Sequence, residues 1–146
     1  MPVEIIEPLQ GDLRTLRTIQ APHHVAVAAD GTLRISSAAF KPGRDGSISV
    51  DLEESLIRAS LELTSRYPSL PRAVALVSHR VQQVRQEGLS ATHVPVEGNE
   101  HHGELRFANG STKGQIKDAS RNLANNCVTI VAIDVNEVQR LRSITA

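Results

Sequence analysis

The chain has 146 residues, 16 of them basic and 16 acidic, with 40% hydrophobic residues, 2% aromatic residues and one cysteine. A chain of this length suits one domain whose core needs neither disulfides nor a structural metal. Zero formal net charge argues against non-specific nucleic-acid binding, and the scarcity of aromatics removes the stacking platforms that single-strand binders use. No apolar run approaches the ~18 residues of a membrane span, the acidic N-terminus lacks a signal peptide's basic start, and Cys127 has no internal disulfide partner; together these point to a cytoplasmic protein.

In chain order, Val3–Ile6 reads as a short strand, and Leu13, Leu16 and Ile19 recur every third residue, predicting a helix over Asp12–Ile19. His24–Ala28 and Thr32–Ser36 flank Asp30-Gly31, a hairpin signal. Ser47–Leu52 alternates apolar and polar residues as a strand does, and Glu53–Arg66 carries a mainly apolar stripe that predicts a helix capped by Asp51. Ala73–Val77 reads as a buried strand leading to a helix near Arg80–Gln86, capped by Ser78 and ended by Gly88. Ala91–Val96 and Glu104–Phe107 read as strands, and Lys113–Leu123 as a helix. The β-branched run Cys127–Ile133 predicts a central strand, and Asp134–Leu141 a closing helix capped by Asp134. The expected fold is α+β: a single domain over 1–146, with a mixed β-sheet, an early β-hairpin and three to five helices packed on it.

The segments P-H-H-V at Pro22–Val25, R-I-S-S-A-A-F-K at Arg34–Lys41 and S-I-S-V-D-L at Ser47–Leu52 resemble those of a group of small bacterial proteins of unknown function. In that group an S-S-A-A-F segment precedes an S-V-D strand. The resemblance covers about a fifth of the chain, implies a bacterial origin and brings no activity with it.

Four sets of residues carry candidate chemistry. The doublets His23-His24 and His101-His102, with Glu100 and Glu104, have the ligand types of a divalent metal site. Neighbours on a strand point to opposite faces, however, and no metal-binding spacing is present, so solvated histidines and no metal are expected. In N-G-S-T-K-G at Asn109–Gly114, Ser111, Thr112 and Lys113 open a helix whose free N–H groups suit a phosphate. The plainer alternative is a Ser111 cap beside a solvated row of Lys113, Lys117 and Arg121. Ser36-Ser37, His24 and Asp51 have the residue types of a nucleophile triad, but no nucleophile-elbow motif surrounds the serines, and close packing is the simpler reading. Cys127 reads as a buried small hydrophobe rather than a reactive thiol.

The leading expectation is a domain that recognises a phosphorylated ligand, a nucleotide or a nucleic-acid end. Ser37, Lys41, Ser111, Thr112 and Lys113 are the binding groups, His24 or His102 is the acid/base group if chemistry occurs, and no cofactor is involved. The rival, from a different class, is a non-catalytic protein-interaction or regulatory subunit. It predicts silent His and Lys substitutions and an essential apolar patch or sheet edge.

Overall fold

The structure is a computed structural model that describes residues 9–67 and 70–145; the strand expected at Val3–Ile6 lies outside them. The fold is α+β. Six strands form one sheet in the order β6-β7-β4-β1-β5-β8, paired antiparallel throughout, and β2 with β3 forms a separate hairpin. The strands are β1 (Arg14–Gln20), β2 (Val25–Val27), β3 (Leu33–Ile35), β4 (Ser47–Leu52), β5 (Ala73–Arg80), β6 (Leu89–His93), β7 (His102–Phe107) and β8 (Val128–Val131). The helices are α1 (Glu53–Arg58), α2 (Val81–Gln86), α3 (Lys113–Asn125) and α4 (Val135–Thr145), and a 3-10 turn spans Ser37–Phe40.

Strand alternation gives the sheet two unlike faces. Ile19, Ile48, Val50, Leu52, Val77 and Leu105 belong to the main core, with Phe40 from the 3-10 turn, Val81 and Val84 from α2, and Ala119 and Leu123 from α3. Leu16 and Leu76, of opposite parity, form a smaller cluster with Leu56 of α1. Gly31 (φ 86°) supplies the turn of the β2–β3 hairpin, where the Asp30 carboxylate accepts hydrogen bonds from the Thr32 amide and hydroxyl.

Several elements differ from the sequence reading, each for a physical reason. Asp12–Ile19 is not a helix: Arg14–Gln20 is a strand buried on both faces, with Thr15, Leu16, Thr18 and Ile19 all covered. The three-residue spacing there was a coincidence, and the β-branched content of T-L-R-T-I prevails. Helix α1 ends at Arg58 rather than Arg66, because Ser60 takes the left-handed conformation (φ 57°). The Leu61 amide then bonds to the Leu56 carbonyl and the Ser60 amide to that of Ile57, a Schellman closure made without glycine. Asp51 caps nothing; the cap position is Leu52, and Asp51 accepts a hydrogen bond from Asn99 Nδ2 at 2.7 Å. Ser78 lies inside β5, and the first amides of α2 are satisfied instead by the carbonyls of Leu13 and Gly11. The run at Cys127–Ile133 yields only β8, which is an edge strand and not a central one, with Val128 47% exposed. Among the described residues no helix is long and apolar enough to cross a membrane.

Candidate functional site

The segment joining β6 to β7 turns back at Gly98 (φ 83°), with Val96 and Asn99 bridged across the turn. Its register on the sheet determines what it meets. His102 lies opposite Asp51 on β4, and the Leu52 amide bonds to the His101 carbonyl. Strand β4 runs into α1 with no intervening loop, so Ser55, in the first turn of α1, lies beside His101.

The two side chains meet at 2.8 Å, Ser55 Oγ to His101 Nδ1, and both residues are buried. On the far side of the ring, His101 Nε2 is 3.5 Å from Glu100 Oε1. Glu100 also lies within reach of Ser55 through its main-chain oxygen, but at 3.5 Å. The contact has two arrangements: a ring protonated on Nε2, facing the Glu100 carboxylate, accepts the Ser55 hydroxyl on Nδ1, whereas Nδ1–H donates to Oγ when the hydroxyl turns to the Glu100 carbonyl.

Two further histidines gather here with a different task. His93 Nε2–H donates to the Glu100 carbonyl at 2.7 Å, and His102 Nδ1–H donates to the Val94 carbonyl at 2.8 Å. Asn99 ties the turn to Asp51 through Nδ2 and accepts the His101 amide on Oδ1. These bonds brace the turn against the sheet and hold His101 in place. Beside the braced segment lies a cavity of about 530 Å³, lined by Leu61, Ser65, Arg66, Asn99 and His101 among others. That volume is in the range that takes a small metabolite.

The residues singled out from sequence are dispersed. His102 starts β7 while Lys113 opens the helix beyond its other end, and the strand alone separates the two ends by roughly 17 Å. The cap of α3 is Thr112, not Ser111. Thr112 Oγ1 accepts from the Gln115 amide and Gln115 Oε1 accepts from the Thr112 amide, a closed capping box. Ser111 Oγ donates to the Ala108 carbonyl and Lys113 is exposed.

His24, Ser37 and Lys41 do share a neighbourhood, since the Ser36 amide bonds to the His24 carbonyl and Ser37 and Lys41 flank the turn that follows. Asp51 has no part in that group. Glu104 is paired with Arg106 at 3.1 Å, and among the described residues no three His, Cys, Asp or Glu side chains are grouped to hold a metal ion. Cys127 is half-buried, and burial pushes its thiol pKa up.

Sequence reasoning named the His101-His102 doublet but gave the acid/base role to His102, and it passed over Ser55, Asn99 and Arg66. The doublet was visible, but which of its two rings faces the cavity depends on register. Comparison with known proteins finds no matching family model, no matching curated protein and no matching solved structure.

Proposed function

We propose that the protein binds a small phosphorylated molecule in the cavity between the Leu61–Arg66 segment and the β6–β7 turn, and that His101 exchanges a proton with it. One observation carries this reading: a buried histidine with both ring nitrogens engaged stands in the wall of this cavity. Arg66 in the same wall brings a planar donor fork, the group best matched to a phosphate's oxygens. Leu61 and Val96, both over 40% exposed, give the mouth an apolar rim for the rest of the ligand.

The protonation state sets the direction of the chemistry. Protonated on both nitrogens, with Nδ1–H donating to Ser55 Oγ and the hydroxyl turned to the Glu100 carbonyl, His101 offers Nε2–H as a general acid; the neutral ring offers Nε2–H only as a hydrogen-bond donor. Glu100, whose side chain is 77% exposed, can swing aside as a ligand enters or stay to stabilise an imidazolium.

The test is a calorimetric and thermal-shift comparison of the full chain with phosphomonoesters and with the same compounds lacking phosphate. Binding raises the apparent stability of the native state. The expected result is a shift for phosphorylated members only, weakened about tenfold in Arg66→Lys, where the fork is replaced by a point charge. Equal response to phosphorylated and dephosphorylated compounds, or no response to any, overturns the reading.

A further inference from the structure

A second feature lies elsewhere in the sheet and owes nothing to the cavity. Strand β1 pairs with β5 along its whole length, from Arg14 to Gln20, but with β4 only at Thr15 and Leu16. Beyond that point β1 and β4 part, and Arg17 is the first residue past the last pair. Its guanidinium enters the gap: Nε–H donates to the Ala39 carbonyl at 3.0 Å, and NH1 to the Ser49 carbonyl at 2.8 Å.

Five N–H groups belong to a guanidinium, and two of Arg17's are used. Among the described residues no carboxylate pairs with it, although the residue is partly buried and desolvation lowers its pKa. A half-buried cation without a counter-charge is costly to maintain, and an anion in the gap would remove that cost.

Neighbouring segments carry further donors. His24 Nδ1 accepts the Gln20 amide at 3.0 Å, which leaves its ring proton on Nε2. Desolvation, reinforced by the charge of Arg17 and by His23, holds the His24 pKa down at about 4, so near pH 7 the ring is a neutral N–H donor. The turn whose Ala39 carbonyl receives Arg17 also carries Ser37, whose hydroxyl has no partner among the described residues, and the exposed Lys41.

We propose that the gap where β1 and β4 diverge is a second ligand site, taking a tetrahedral oxyanion such as a phosphate group on Arg17, with His24 and Ser37 as neutral donors. The planar fork suits two oxygens, and the neutral donors add hydrogen bonds without further charge to desolvate. His24 and Ser37 thereby act as binding groups and not as a base and a nucleophile.

The test titrates the full-length protein with inorganic phosphate at constant ionic strength, with chloride as control, while NMR follows the His24 ring and the Arg17 Nε–H. Saturable movement of both, with a rise in the His24 pKa, is the expected result whether or not His101 moves as well. Movement confined to His101 and Arg66 would place phosphate in the cavity alone and overturn this proposal while leaving the proposed function standing. A response linear in phosphate overturns it as well. Arg17→Lys, which keeps the charge but not the fork, should weaken binding about tenfold, and unchanged affinity refutes the assignment. Should that variant not fold, Ser37→Ala takes its place, with a several-fold loss expected and no loss counting against the site.

Discussion

Gly103 offers the sharpest test of the packing that holds the candidate site. It follows His102 on β7, and a Cβ built there would lie 2.7 Å from Leu52 Cδ2, 2.8 Å from Leu52 Cγ and 3.0 Å from the Thr92 carbonyl oxygen. Carbon atoms in good contact sit about 3.5–4.0 Å apart, so a methyl group overlaps Leu52 by roughly 0.7 Å or more. Leu52 is 1% exposed in the main core, and Thr92 lies in the β6–β7 ladder, so neither neighbour yields freely. Overpacking of this kind costs about 1–3 kcal/mol, and opposition from both a core side chain and a backbone oxygen puts Gly103→Ala at about 2–3 kcal/mol. Urea unfolding should show the midpoint falling by about 1–2 M at an unchanged slope. Combining Gly103→Ala with Leu52→Ala should cost less than the sum of the two single changes, because the truncated leucine no longer meets the new methyl. A Gly103→Ala protein within ~0.5 kcal/mol of the parent, or strict additivity in the double variant, refutes this account.

Acid should destabilise the fold through two histidines. His24 titrates at about 4 when folded against an ordinary 6.5, and burial also lowers the pKa of His79, so unfolding takes up protons and stability, level above pH 6.5, falls as pH drops toward 4. At ~1.4 kcal/mol per tenfold, the part due to His24 is about 2 kcal/mol after discounting for its partial exposure, and a urea midpoint as high at pH 5 as at pH 7.5 would contradict it. Ser60→Gly should stabilise by about 0.5–1 kcal/mol, since glycine takes the left-handed conformation without a Cβ penalty; a lower thermal midpoint would show that the helix end is not closed as described.

How much of this was written in the sequence varies by element. The Asp30-Gly31 hairpin, β4 and α3 were legible because each carries a local signal: a turn dipeptide, strict alternation, a polar helix start. Strand β1 was not, because a strand covered on both faces has no polar phase to alternate with, and L-R-T-L-R-T-I fits a three-residue period equally well. The end of α1 was hidden because a serine holds the left-handed position that usually announces itself as glycine. Hydropathy placed V-T-I-V in a strand, but strand order is decided by which partners remain, and β8 pairs only with β5.

The candidate site was hidden for a related reason: a histidine doublet at the entry to a strand gives its two rings different surroundings, and only the register decides their tasks. His102 spends its Nδ1–H on the Val94 carbonyl, within the bracing of the turn, whereas His101 bonds Ser55 and lines the cavity. The two substitutions should therefore separate. His102→Gln should lower stability by about 1 kcal/mol, the net worth of one hydrogen bond, with ligand affinity preserved once the protein is folded. His101→Gln retains a polar side chain of similar reach but cannot cycle a proton at neutral pH, so it should leave phosphomonoester binding within a few-fold while removing any proton-dependent turnover. The reverse pattern, with function lost in His102→Gln and intact in His101→Gln, would move the chemistry to the opposite side of the strand and restore the ring that the sequence alone had favoured.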